Sequence, residues 1–201
     1  MKTQLVMVDD FAPQPEELRS VALLAKYESV NFEGEVYHGI GNDAEALPFD
    51  MRKRISQAVG FEAEIKYSYF RMTPEGVDPT VWIHPDTMCS EYAGVLYLNL
   101  PKCCFGGTAF WTHNALGWDE LPEGIDEKMA KILNEDGNAQ ERWKVWTMNT
   151  LVGMKFNRFI AYPSKCFHSR YPREAWGESK EESRLVWVAF FNRATAMTPC
   201  L

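Results

Sequence analysis

The sequence predicts a mainly β fold with flanking helices, a β-sandwich or jelly roll held by helical buttresses. Three observations lead there. Helical spacing dominates the first 60 residues. After residue 64 the texture changes to short runs rich in Tyr, Phe and Val, bounded by Pro and Gly. The chain of 201 residues is 46% hydrophobic and 24% charged, which suits one compact core and excludes a disordered, collagen-like or coiled-coil chain.

The opening Gln4–Val8 reads as a short strand. Pro13, Pro15, Glu16 and Glu17 supply a helix start, and Leu18, Val21, Ala22 and Ala25 recur at helical spacing. Gly34, Gly39, Gly41 and Asn42 mark a looser stretch. A second helix is expected from Pro48-Phe49-Asp50 to Val59, stopped by Gly60. Residues of about 1–62 thus read as N-terminal helical support. Strands are expected at Ile65–Met72, before the turn Thr73-Pro74-Glu75-Gly76, and at Gly94–Leu100, closed by Pro101. Further strands are expected at Thr108–Trp111, after Gly106-Gly107, and at Asn157–Tyr162, stopped by Pro163. Leu185–Phe191 is an apolar run suited to a strand covered on both faces.

Between Trp111 and Asn157 no strand pattern stands out. Ile125, Met129, Ile132 and Leu133 recur at helical spacing before Gly137-Asn138, and Trp143 and Trp146 follow. The stretch of about 112–156 therefore reads as a lid-like insertion in a single domain spanning 1–201. A packing flap that touches no ligand is the alternative.

A net charge of −7 repels phosphate backbones, so no nucleic-acid partner is expected. No apolar run approaches the roughly 20 residues that cross a bilayer, and no membrane association is expected. The first ten residues end in Asp9-Asp10 after a short apolar stretch, unlike a secretory leader, and a cytoplasmic location follows. Cys89, Cys103, Cys104, Cys166 and Cys200 are an odd set without CxxC spacing, unlike a disulfide framework or a four-thiolate zinc site.

Four histidines carry the chemistry that can be weighed. In His84-Pro85-Asp86 an imidazole and a carboxylate stand two residues apart, which on extended backbone puts both on one face. His168 lies far downstream, just after the strand ending at Tyr162. Two imidazoles and one carboxylate can occupy one face of an octahedral metal and leave three positions open, the arrangement of non-heme Fe(II) oxygenases. For the pair alone, a local turn with a hydrogen-bonded imidazole is the competing account. Arg184 opens the apolar strand Leu185–Phe191, where an unpaired guanidinium is costly and an anion is wanted. Tyr97, inside another apolar strand, brings a hydroxyl with the same need. An iron-binding triad together with this Arg and Tyr would hold a dicarboxylic keto acid at both ends. A surface Arg184 paired with Glu178, Glu181 or Glu182 is the alternative.

The sequence resembles the Fe(II)/2-oxoglutarate-dependent dioxygenases, in particular their prolyl-4-hydroxylase-like branch of small bacterial or phage type. The pieces stand in family order: His84-Pro85-Asp86, Val95-Leu96-Tyr97-Leu98-Asn99, Gly106-Gly107-Thr108-Ala109-Phe110-Trp111, Asn157–Ser164 with Phe167-His168-Ser169, and Arg184 before the last strand. Val8-Asp9-Asp10-Phe11 and Pro15–Arg19 resemble the family's lead-in. The resemblance implies a double-stranded β-helix, a cupin-like jelly roll, with Fe(II) on His84, Asp86 and His168. It implies 2-oxoglutarate as co-substrate, its far carboxylate on Arg184 and Tyr97, and dioxygen as the oxidant. The implied reaction is hydroxylation of a small molecule or peptide residue through a non-heme ferryl intermediate. Asp86 is the carboxylate that halogenases of this class lack, so hydroxylation is the expected outcome.

The chain departs from the family in three ways. Sixteen residues separate His168 from Arg184, longer than usual, which brings Arg170 and Arg173 into contention for the keto acid. Val186 stands where some members have the serine of Arg-x-Ser, and no second family tyrosine aligns before His84. Tyr69 and Arg71 are candidates for lining the pocket. Trp111 and His113, placed near the mouth of the barrel, are candidates for touching substrate. Two other functions compete: a non-catalytic jelly-roll sensor of metal or ligand, and a zinc-dependent hydrolase that needs neither 2-oxoglutarate nor dioxygen.

Overall fold

The computed structural model describes residues 5–32, 35–42, 47, 49–74, 76, 82–86, 90–139 and 141–195. Ten strands form two antiparallel sheets. The larger has the order β1 (Val6–Val8), β8 (Phe159–Pro163), β5 (Tyr92–Tyr97), β10 (Arg184–Arg193), β4 (Ala63–Thr73), β3 (Glu35–Gly41), β2 (Tyr27–Phe32). The smaller has β7 (Trp146–Gly153), β6 (Gly107–His113) and β9 (His168–Tyr171). A single antiparallel bridge between His84 and His168 extends the smaller sheet by one chain segment. The two sheets facing one another make the double-stranded β-helix of the cupin-like jelly roll.

Alternation along the strands divides the core into three layers. On β10, Leu185, Trp187, Ala189 and Phe191 pack with Phe70, Leu96 and Phe159 against α1 (Pro15–Leu24) and α2 (Met51–Val59). Val186, Val188 and Phe190 point the other way, into the barrel, with Val95, Tyr97, Ile160, Tyr162 and Val152. Both faces of β10 are therefore covered, as its unbroken apolar run requires. A third cluster lies on the outer face of the smaller sheet: Trp82, Ile83, Ala109, Trp111, Leu133, Trp146 and Phe167.

The helices begin and end as their residues dictate. Pro15 stands at the first position of α1, where a missing N–H costs nothing. The Asp50 carboxylate accepts from the Lys53 N–H to cap α2, and Gly60 closes it in the left-handed conformation. Asp126 caps α3 (Glu127–Gly137) through the Met129 N–H. Of the opening strand expected at Gln4–Val8, Val6–Val8 form β1 and Gln4 lies outside the described residues.

Two expectations are corrected. The stretch around Gly39 and Gly41 is not loose: β2 and β3 pair and extend the large sheet beside β4. Gly39 has φ +70°, and a Cβ there would lie 1.8 Å from the Met72 carbonyl oxygen. Its missing side chain is what lets β3 lie against β4, so glycine here serves a strand. The N-terminal third is thus helices plus a sheet edge. Within 112–156, Trp146–Gly153 is strand β7, paired along its length with β6. It carries its burial on Trp146 and Val152 and otherwise shows polar or half-exposed side chains, which hides its period. The helical part, α3 with the short α4 (Arg142–Val145), contributes Leu133 and Val145 to the cluster behind the smaller sheet, on the face turned away from the barrel interior. Among the described residues no helix is long and apolar enough to cross a membrane.

Candidate metal centre

His84, Asp86 and His168 converge. Each offers one ligand atom, and those atoms lie within 4.8 Å of one another. The backbone does most of the positioning: His84 and His168 exchange N–H···O=C bonds of 3.0 Å in both directions, and the Asp86 N–H donates to the Ser164 carbonyl at 2.7 Å. Nε2 of His168 lies 3.1 Å from one Asp86 oxygen, and Nε2 of His84 lies 3.5 Å from the other. Both Nδ1 atoms face backbone carbonyls at 3.0 Å, His84 that of Trp82 and His168 that of Cys166. Each Nδ1 therefore carries the hydrogen, and each Nε2 is aimed at the shared space, the orientation that metal-bound imidazoles take from such outer hydrogen bonds.

Electrostatics fit a cation there. Burial opposes charge on Asp86, but His168 and His84 outweigh it and hold the carboxyl well below the ordinary carboxylate range. Burial also disfavours imidazolium at His168, and the Asp86 carboxylate more than offsets that, so its pKa is raised. A carboxylate between two imidazole Nε2 atoms, one of them buried, is a donor set for a divalent ion.

Arg184 lies inside the same barrel. It is buried, and its Nε has no hydrogen-bond partner. Burial pulls its pKa down from the ordinary guanidinium value. The pairing with Glu178, Glu181 or Glu182 is absent among the described residues: no ion pair reaches Arg184, whose guanidinium carbon lies 5.9 Å from the centre of the Tyr97 ring. The Tyr97 hydroxyl is 2.7 Å from Thr108 Oγ1, and burial raises its pKa, as it does for Tyr162. Both phenols are neutral, so neither offsets the arginine. A buried cation beside neutral hydroxyls is suited to an anionic ligand.

Arg170 shares the face of His168, two residues on, and already has an interaction of its own. Arg173 lies beyond β9 in the loop leading to β10. Arg71 does face the interior, because it stands opposite Val186 in the β4–β10 ladder. Trp111 and His113 do not. Phe110 pairs with His168 and shares its face, so its neighbours on either side in β6 point outward. The Trp111 indole N–H donates to Ser169 Oγ at 3.0 Å, and His113 Nε2 sits 3.0 Å from the Asp136 carboxylate of α3. Their expected contact with substrate is replaced by packing behind the sheet.

Two residues matter that the sequence did not single out. The Tyr162 ring lies 4.8 Å from that of His168 and 5.0 Å from Phe110, so it walls the metal centre. Alternation in Phe159–Pro163 puts it inward, a signal open to reading once one neighbour's face is known. Asn99, fully buried, clamps the start of β10: its Nδ2 donates to the Ser183 carbonyl and its Oδ1 accepts from the Leu185 N–H, both at 2.8 Å. Arg184 sits between those two anchors. Nothing local in the sequence marks that role.

Among solved structures, AviO1 from Streptomyces viridochromogenes Tue57 is similar with a TM-score of 0.56 at 11% identity, the match covering 96% of this chain and 92% of that one. EvdMO1 is similar with a TM-score of 0.52 at 14% identity, covering 94% of this chain and 45% of that one. At such identities the likeness is one of fold. No curated protein matches the sequence. A family model described as a family of unknown function (DUF6445) matches residues 1–191.

Proposed function

We propose that this chain, which belongs to the DUF6445 family, is an Fe(II)- and 2-oxoglutarate-dependent dioxygenase that hydroxylates a small molecule or a peptide residue. The observation that carries the reading is the meeting, inside one barrel, of a His/Asp/His donor set and a buried guanidinium with no counter-ion among the described residues. A cupin-like fold agrees with an oxidative role. The order of motifs along the chain supports the place near the prolyl-4-hydroxylase branch. A zinc hydrolase would use the donor set and leave Arg184 unexplained.

His84, Asp86 and His168 would hold the metal on one face, oriented by the Trp82 and Cys166 carbonyls. Bound there, Fe(II) with 2-oxoglutarate and dioxygen supplies an oxidant strong enough to hydroxylate a C–H bond. Arg184 would grip the far carboxylate with its planar fork, and Asn99 keeps that arginine in place. Val186, Val188, Phe110 and Tyr162 make the wall apolar and keep water from the reacting atoms.

Succinate formation tests the reading. Purified protein incubated in air with Fe(II) and 2-oxoglutarate is expected to release succinate, to release none when Zn(II) replaces Fe(II), and to lose the activity in Asp86→Ala. Succinate that forms equally in Asp86→Ala, or none with Fe(II), contradicts it.

A further inference from the structure

Besides Arg184, Arg71 enters the barrel without a counter-charge among the described residues. Arg71 on β4 faces Val186, and Thr73, two residues along, faces Arg184. The two guanidinium groups are therefore diagonal neighbours on one face of adjacent strands, a spacing of about 7–8 Å between Cα atoms. They feel each other: Arg71 helps burial depress the pKa of Arg184. Arg71 is half-buried and makes no hydrogen bond or ion pair among the described residues. Like charges placed this close inside a fold are costly, and they persist where a ligand supplies the missing anions.

Charge counting separates the roles of the two, and it rests on the reading proposed above. A divalent metal with the Asp86 carboxylate retains one positive charge, which the near carboxylate of 2-oxoglutarate neutralises. The far carboxylate neutralises Arg184. The charge of Arg71 is left without an anion among the described residues. Tyr97 and Tyr162 are neutral phenols and offer nothing against it. Arg170, also on the barrel side, has an interaction of its own, and its Nε is buried without a hydrogen-bond partner among the described residues.

We propose that Arg71 is a specificity-determining residue that binds a carboxylate of the primary substrate, so that the substrate is a carboxylic acid such as a hydroxy acid or an amino acid. The guanidinium fork suits a carboxylate in two-point contact.

The test uses Mn(II)-loaded full-length protein without oxygen, in two arms. Calorimetric titration with 2-oxoglutarate compares wild type, Arg71→Gln and Arg184→Gln. Arg184→Gln is expected to weaken binding by about tenfold or more, and Arg71→Gln by less than about threefold. Equal weakening in both variants overturns the proposal, because Arg71 would then belong to the co-substrate. The second arm measures thermal shifts of the Mn(II)·2-oxoglutarate complex with the twenty L-amino acids and short hydroxy acids, each beside its carboxamide. At least one acid is expected to raise the melting temperature where its amide does not, with the shift lost in Arg71→Gln and partly kept in Arg71→Lys. No responding acid, an equal response to the amide, or a shift that survives Arg71→Gln overturns it. Wild type that takes up neither Mn(II) nor 2-oxoglutarate removes the dioxygenase reading itself, an outcome visible before the second arm begins.

Discussion

Arg184 is the residue at which function and stability pull apart. Its side chain is buried and positively charged, without an ion pair among the described residues, which is a cost to the fold in the absence of ligand. Arg184→Met, which keeps volume and removes the charge, is expected to stabilise the ligand-free protein by about 1–3 kcal/mol. In a chain of this size that is a rise of roughly 2–10 °C in melting temperature. The same change is expected to weaken 2-oxoglutarate binding by at least about tenfold. Calorimetric melting and titration of one variant measure both. A destabilised Arg184→Met would mean that the guanidinium has a partner in the folded protein and is not held ready for a ligand. His84 and Asp86 are legible at this scale, since extended backbone sends residues two apart to one face. Arg184 is legible too, as a charge at the head of an apolar run. Trp111 and His113 are not, because Phe110 and Trp111 put an aromatic ring on each face of β6, and only pairing with His168 tells the faces apart.

Elements hold these residues through contacts that no local pattern announces. Asn99 supplies two backbone-like hydrogen bonds to the chain on either side of Arg184. Asn99→Ala leaves the Ser183 carbonyl and the Leu185 N–H without those partners, at a cost of about 1–3 kcal/mol. It is expected to weaken 2-oxoglutarate binding while leaving Mn(II) affinity near that of wild type. A loss of stability alone, with unchanged co-substrate affinity, would make Asn99 merely structural. On the other side of the barrel α3 braces the segment that carries His84. The Ile83 N–H donates to the Gly137 carbonyl and the Trp82 N–H to Asn138 Oδ1. A Cβ at Gly137 would lie 2.2 Å from the Ile83 carbonyl oxygen. The stretch that reads as a lid is, in this part, a brace behind the metal ligands.

The start of the chain is tied in by charge. Asp9, just after β1, accepts from Arg158 at 2.6 and 3.1 Å and from Lys155 at 2.8 Å. Arg158 and then Lys155 hold its pKa far below the ordinary carboxylate value. A carboxyl whose folded pKa is depressed stabilises the fold above its unfolded pKa of about 3.9, and that contribution is lost as pH falls through the folded value. Asp9→Asn is therefore expected to lower the melting temperature near neutral pH, with the gap to wild type narrowing steadily below about pH 4. A gap that stays constant with pH would assign the effect to packing.

For the whole molecule, the mainly β architecture with helical buttresses follows from strand-length apolar runs and their Pro and Gly boundaries. The double-stranded β-helix follows from the resemblance. What the sequence leaves out has physical reasons. The β2–β3 hairpin is masked by glycines whose task is close approach to β4, and β7 by a strand with two well-buried side chains among eight residues. His84 and His168 of the candidate metal centre stand 84 positions apart in the sequence, and no periodicity carries information over that distance. His168 joins His84 through one two-way backbone bridge, a feature of the fold alone.

The proposed activity requires one ferrous ion and one 2-oxoglutarate in the barrel, and their complex is visible spectroscopically. Titrating Fe(II) into protein with excess 2-oxoglutarate, without oxygen, is expected to give a weak visible charge-transfer band that saturates at one iron per chain and is absent from His168→Ala. A band that never forms, or one that forms unchanged in His168→Ala, would contradict the account.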